Sequence, residues 1–137
     1  MRNIHNVQVL WPDCDPAGIL FNVNYYRWMD DAAFYLFEKA GLPWDELKEK
    51  YGAPGVPLVS SHANFRSPAK FRDKLTIESH VSEWGAGSFK VSHVFRIGER
   101  LAAEGWEKRI WCSADPDDPA KITPALIPDE VRKALGG

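Results

Sequence analysis

Asn24-Tyr25-Tyr26-Arg27-Trp28-Met29-Asp30-Asp31-Ala32-Ala33-Phe34-Tyr35-Leu36-Phe37-Glu38-Lys39-Ala40 decides how the rest of the chain must fold. Tyr25, Trp28, Met29, Ala32, Ala33, Leu36, Phe37 and Ala40 recur at intervals of three and four, which gathers them on one broad apolar face of an α-helix. Asn22 or Asn24 is positioned to cap its start. Gly41-Leu42-Pro43 stops it. A helix with one continuous apolar face needs a second layer to lie against.

The flanking sequence supplies that layer. Upstream, Val7 to Trp11 reads as a strand ended by Pro12, and residues 12–18 form a dense turn. Downstream, Trp44 to Tyr51 reads as a short helix started by Pro43 and stopped by Gly52. After Pro57 the period changes. Leu58 to Phe65 is extended, and Leu75, Ile77 and Val81 alternate with Thr76, Glu78 and His80. Gly85-Ala86-Gly87 makes a hairpin loop. Phe89, Val91, His93, Phe95 and Ile97 alternate again. Ala102 to Ala114 reads as the last long strand, with Trp106, Ile110 and Cys112 on one face, and Pro128 to Leu135 as a terminal helix. Strands joined by hairpins are antiparallel. The expectation is a single α+β domain over residues 1–137, an antiparallel sheet of about five strands packed on one main helix. The exposed edges of such a sheet predict an oligomer.

Composition narrows the function classes. The 137 residues carry a formal net charge of −2, against the basic excess of a general nucleic-acid binder. Met1 to Asn6 lacks the apolar core of a signal peptide. No apolar run reaches the roughly 18–20 residues of a membrane span. Cys14 and Cys112 are too few and too far apart for a disulfide scaffold or zinc ribbon. These features predict a cytoplasmic protein with reduced thiols and no membrane or nucleic-acid partner. Six Trp among 137 residues is a generous number, available to a core, an interface or an aromatic ligand.

Asp13-Cys14-Asp15-Pro16-Ala17-Gly18 carries the densest chemistry. It sets two carboxylates in a turn just before a helix start. Either Asp can cap the turn or helix. The pair can hold a metal, although no His or Glu sits at a supporting spacing. Alternatively, one carboxylate acts as nucleophile or base while free N–H groups at the helix start polarise a carbonyl, as acyl transfer requires.

Asp13-Cys14-Asp15-Pro16-Ala17-Gly18-Ile19, Asn24-Tyr25, Arg27-Trp28, Gly41-Leu42-Pro43, Pro57-Leu58-Val59-Ser60 and Glu83-Trp84 with Ser88-Phe89 resemble the 4-hydroxybenzoyl-CoA thioesterases of the hot-dog fold. The resemblance runs from residue 7 to about 112. It implies a hot-dog fold and hydrolysis of an aromatic acyl-CoA thioester to a carboxylate and free CoA, within aromatic degradation. CoA is then part of the substrate, and neither a cofactor nor a metal is implied. Asp15 falls on the catalytic carboxylate, as nucleophile or general base. Asn22 falls on the residue whose backbone N–H polarises the thioester carbonyl. Asp30 falls at the end of the acyl pocket, where it would meet a ring hydroxyl; a solvated or salt-bridged helix residue is the competing reading.

The resemblance extends to the partner subunit and to the CoA phosphates. Ser60 and Ser61 open a strand that approaches the site from the partner and are the implied substrate contacts. Ser61 or His62 would position water or the substrate, with a paired core or interface histidine as the competing reading of His62. A dimer with shared active sites, assembled into a tetramer, follows from the same likeness. One departure stands out: Gly85-Ala86-Gly87 occupies the place of a basic cluster suited to the CoA phosphates. Lys90 and Arg72, with Arg66, Lys70 and Lys74 nearby, are the substitute cations. The loss of that cluster keeps open aliphatic acyl groups on CoA or a carrier protein, and, more distantly, a non-catalytic acyl-CoA-binding module.

Overall fold

The computed structural model describes residues 1–137. In chain order come β1 (Asn3–Gln8), a 3-10 turn at Trp11–Asp13, α1 (Val23–Lys39), and a 3-10 turn at Trp44–Glu46 that runs into α2 (Leu47–Tyr51). Then follow β2 (Leu58–Phe65), β3 (Lys74–Trp84), β4 (Ser88–Ile97), β5 (Arg100–Ile110), β6 (Cys112–Ala114), β7 (Ile122–Pro124) and α3 (Asp129–Ala134). The first five strands form one antiparallel sheet in the order β1-β3-β4-β5-β2. Its count and sense match the sequence expectation.

The helix behaves as its periodicity dictates. Tyr25, Trp28, Met29, Ala32, Ala33, Leu36 and Phe37 are buried against the sheet. Across from them, strand residues of one parity face inward: Leu75 and Ile77 on β3, Phe89, Val91 and Phe95 on β4, Ala103 on β5. Gly105 lies under the helix, where a Cβ would sit 2.7 Å from Met29 Sδ and 2.5 Å from the His62 carbonyl oxygen. The absent side chain lets helix and sheet close at that point.

Two boundaries and one cap bond differ from the sequence reading. The first strand lies earlier, at Asn3–Gln8, because Leu10 to Asp13 turns into the 3-10 segment around Pro12. The last long strand breaks at Trp111. Its N–H bonds Gly87 O and its carbonyl accepts from Ala125 N–H, so the backbone leaves the sheet while the ring enters the core, 2% exposed. Cys112 therefore belongs to the separate β6–β7 pair and does not share a face with Trp106. Finally, Asn22 takes the N-cap position of α1 but makes no side-chain cap bond, and the Asn24 amide donates instead to Asp13 O at 2.8 Å.

The buried apolar residues fall into two clusters. One gathers Ala33, Leu36, Phe37, Phe89, Val91, Trp111 and the C-terminal Val131 and Leu135. The other gathers Tyr25, Trp28, Met29, Leu75, Ile77, Phe95 and Ala103. Between them, on the helix-facing side of the sheet, lie the four buried polar residues Ser79, His93, Glu107 and Arg109. No helix is long and apolar enough to cross a membrane.

Candidate active site

The turn before α1 is organised by its own polar groups. Asp13 Oδ2 accepts from Leu10 N–H at 2.8 Å, and Asp13 O accepts from Phe21 N–H at 2.9 Å and from the Asn24 amide. Asp13 thus ties the loop to the helix start. Asp15 Oδ1 accepts from Ala17 N–H at 2.8 Å, a local Asx-type turn. Its Oδ2 takes no hydrogen bond within the chain. Gly18 completes the turn at φ 78°, a left-handed conformation that favours glycine. Leu20 N–H then bonds Ala69 O at 2.7 Å, which ties the loop to the segment before β3.

Asp15 and Asn22 share one cleft of about 410 Å³, with Ile19, Phe21, Tyr25 and Phe65 as apolar wall and Arg66 at the rim. The Asn22 N–H makes no backbone hydrogen bond, as expected for an orphan donor at a helix start. A half-buried carboxylate with one free oxygen therefore stands in the same cleft as a free donor at the positive end of a 17-residue helix. Arg66 is tied to Glu104 at 2.6 Å. Burial, reinforced by the charges of Asp13 and Asp15, pushes the Cys14 thiol up and away from the thiolate form a nucleophile needs. No three His, Cys, Asp or Glu side chains cluster closely enough to share a metal ion.

The remaining predicted residues lie elsewhere on the protomer. Asp30 sits two turns along α1 from Asn22, roughly 12 Å by helical rise, and its side chain is 55% exposed. It is salt-bridged to Arg109 Nη2. Ser60 and Ser61 lie on β2, a sheet edge, and point to opposite faces: Ser60 pairs in register with Lys108 on the outer side, Ser61 with Glu107 on the helix side. Ser60 shares an outer-face pocket of about 450 Å³ with Lys90, Lys108, Trp84 and Trp106. Lys90 Nζ lies 4.4 Å over the Trp106 ring and 3.3 Å from Glu83 Oε1. His62 stacks on Trp106. Arg72 is far along the chain from that pocket and does not line it; its guanidinium lies 4.9 Å over Phe71. The Gly85-Ala86-Gly87 hairpin is packed beneath the C-terminal segment. A Cβ on Gly87 would sit 2.5 Å from Ala125 O, and Arg132 donates to the Gly85 and Ala86 carbonyls.

A buried chain of polar groups reaches Asp30 from behind. Ser79 Oγ and His93 Nδ1 share a hydrogen bond of 2.7 Å, and His93 Nε2 meets Glu107 Oε1 at 3.1 Å. Glu107 Oε2 accepts from Arg109 Nη2 at 2.8 Å, and Arg109 Nη1 donates to Val56 O at 2.9 Å. The guanidinium stacks on Trp44 at 4.8 Å. Sequence reasoning passed over Glu107 and Arg109. The signal was present: both fall at inward positions of β5, after Ala103 and Gly105, and an inward charge on a strand calls for a partner.

Burial alone would raise the Glu107 carboxyl above its ordinary 4.5, but the His93 hydrogen bond and the Arg109 charge outweigh it and hold the group lower. A depressed carboxylate stabilises the fold above the ordinary value, and that contribution is lost as pH falls through the lowered one. The urea midpoint of the protein is expected to exceed that of Glu107→Gln at neutral pH, with the gap closing below about pH 4.5. A gap that stays constant down to pH 3 would contradict this.

Comparison with known proteins places the fold and the family. The thioesterase-like superfamily profile matches residues 9–135. The chain is 45% identical over 82 residues to the 4-hydroxybenzoyl-CoA thioesterase of Pseudomonas sp. (strain CBS-3), a match covering 59% of this chain and 58% of that one. It is 29% identical to a 1,4-dihydroxy-2-naphthoyl-CoA hydrolase of Prochlorococcus marinus, over 92% of this chain and 83% of the relative. A crystal structure of an Asp-to-Asn variant of 4-hydroxybenzoyl-CoA thioesterase, complexed with 4-hydroxybenzoyl-CoA, superposes with a TM-score of 0.88 at 30% identity, covering 98% of this chain and 99% of that one. A gentisyl-coenzyme A thioesterase superposes at 0.80 with 33% identity, covering 98% and 100%. A curled five-stranded sheet on one long helix, shared with these enzymes, is the hot-dog fold, and the class is that of thioester hydrolases. The chain belongs to the thioesterase-like superfamily.

Proposed function

We propose that the protein hydrolyses an aromatic acyl-CoA thioester, of the 4-hydroxybenzoyl-CoA type, to the carboxylate and free CoA. The observation that carries the reading is the meeting of Asp15 and the unbonded Asn22 N–H in one cleft. The thioester carbonyl oxygen takes the Asn22 N–H, whose position at the helix start favours the charge that develops there. Asp15 acts on the carbonyl carbon as nucleophile, or on a water as general base. CoA leaves as its thiol; no cofactor enters the reaction. The chemistry suits the cytoplasm, where acyl-CoA esters are formed, and a place in aromatic degradation.

The acyl group lies along the exposed Val23, Tyr26 and Asp30 stripe of α1. One aryl ring with a para substituent spans about half of the distance from Asn22, and the hydrogen bonds at its two ends add to that reach. The Asp30 side chain, tilted back toward the helix N-terminus, covers the rest. Lys90, beside Ser60 and Lys108, is the better situated of the two cations for a CoA phosphate, with Arg72 a second contact on another part of the surface. A second copy of the chain completes the site. β2 leaves its outer edge unpaired, and Leu58, Val59, Phe65, Val23 and Tyr26 are exposed beside it. Pairing β2 edges in a dimer would cover them and bring the partner's Ser61 toward the acyl stripe; two such dimers form the tetramer.

Thiol release from benzoyl-CoA, 4-hydroxybenzoyl-CoA, a medium-chain acyl-CoA and the matching carrier-protein thioesters tests the reading. The highest kcat/KM is expected for 4-hydroxybenzoyl-CoA. Preference for the medium-chain or carrier-protein thioester would instead support the second reading, which the uncharged Gly85-Ala86-Gly87 hairpin favours. Binding with no thiol release would leave only an acyl-CoA-binding module. Asn22→Ala is expected to keep kcat within about threefold of the parent, since only the backbone N–H is used. A loss of a hundredfold or more would assign the work to its side chain.

A further inference from the structure

Asp30 is not a free surface carboxylate. Its Oδ1 is occupied by Arg109, and its Oδ2 has no partner within the chain. Arg109 is itself 96% withdrawn from solvent, at 4% exposure, and held on three sides: Val56 O at Nη1, Glu107 Oε2 at Nη2, and the Trp44 ring across its plane. Glu107 is fixed in turn by His93, and His93 by Ser79. The line therefore runs from the middle of the sheet, between the two apolar clusters, to one exposed acceptor on the helix. Buried ion pairs of this kind are seldom more stabilising than apolar residues of the same volume. A network of four buried polar groups ending at a single exposed atom has another use.

We propose that Arg109 is a positioning residue that sets selectivity for the far end of the acyl group. It holds Asp30 in one orientation, with Oδ2 left as the single acceptor for a hydroxyl on the aryl ring. An acyl group that carries such a donor gains a charge-assisted hydrogen bond. One without it leaves Oδ2 unpaired when the site closes, and one with a carboxylate there meets like charge. The fork geometry of the guanidinium matters, because a lysine ammonium at the end of a flexible stem cannot hold Val56 O, Glu107 and Asp30 in one plane. The inference rests on the proposed aroyl-CoA thioesterase activity and on Asp30 facing the acyl group.

The test is the ratio of kcat/KM for 4-hydroxybenzoyl-CoA to that for benzoyl-CoA, measured in the parent, Asp30→Asn, Arg109→Met, Arg109→Lys and the Asp30→Asn/Arg109→Met double variant. Arg109→Met is expected to lower the ratio about tenfold, with a smaller fall for Arg109→Lys. In the Asp30→Asn background, which has already lost the ratio, Arg109→Met is expected to change it no further. A role confined to folding would lower both substrates together and leave the ratio intact, and that result overturns the proposal. A ratio lost in Asp30→Asn but kept in Arg109→Met also overturns it, while the reading of Asp30 stands. A ratio unchanged in Asp30→Asn removes Asp30 from the acyl end and overturns this inference while aroyl-CoA hydrolysis stands. No aroyl-CoA hydrolysis by the parent brings down the functional reading and this inference with it. Should Arg109→Met fail to fold, Arg109→Lys decides: a full parental ratio there removes the claim for the guanidinium.

Discussion

Asp15→Asn is expected to lower kcat for the preferred thioester by about four orders of magnitude, with KM little changed. The size follows from what the residue is asked to do. An amide is neither a nucleophile toward a thioester carbonyl nor a base toward water, so the chemical step loses its reacting group. The fold is expected to survive. The only hydrogen bond Asp15 makes within the chain through its carboxylate is at Oδ1, from Ala17 N–H, and an asparagine oxygen accepts it equally. The rest of the loop is held by Asp13. Thermal melting within a few degrees of the parent would accompany the loss of turnover. Activity within tenfold of the parent would remove Asp15 from the mechanism. An acyl adduct on Asp15, trapped by rapid acid quench and read by mass spectrometry, marks the nucleophilic route.

The architecture was readable because it rests on local periodicity. The apolar spacing on α1 needed no tertiary information, and seven of its eight marked residues are buried. The hairpins between β3, β4 and β5 were readable for the same reason. Boundaries failed where a long-range contact overrode the local pattern. Trp111 looked like one more strand residue, yet its backbone is captured by Gly87 and Ala125, from a hairpin before it and a segment after it. The six tryptophans show the same limit. Trp28 and Trp111 are in the core, whereas Trp11 is 66% exposed and Trp106 lies on the outer face under Lys90 and His62. Composition alone did not distinguish these fates.

The site divides in the same way. Asp15 and Asn22 are seven residues apart, so a turn and a helix start bring them together, and sequence spacing carries that information. Asp30 and Arg109 are 79 positions apart. Their meeting depends on which face of β5 passes under α1, which no local window contains. The family resemblance marks Asp30 in the sequence, but its partner requires the register of the sheet. Arg27, its neighbour one helical turn back, is exposed and makes no ion pair.

Glu107→Ala is expected to cost about 3–5 kcal/mol, a large share of the 5–15 kcal/mol that holds a typical domain together. The variant leaves the Arg109 guanidinium buried without its main counter-charge, and His93 Nε2 without its partner. Asp30 is more than half exposed and offers only partial compensation. The double variant Glu107→Met/Arg109→Met removes both buried charges and fills their volume with flexible apolar side chains. It is expected to recover at least about 2 kcal/mol relative to Glu107→Ala in urea unfolding, even though it departs further from the parent sequence. A single variant costing under about 1 kcal/mol would mean that the pair is not tightly coupled. Recovery in the double variant would separate two roles for one set of residues. Stability would return with the charges gone, whereas discrimination between hydroxylated and plain aryl thioesters would not, because Asp30 would have lost the guanidinium behind it. That contrast is what distinguishes a network kept for the fold from one kept for the acyl group.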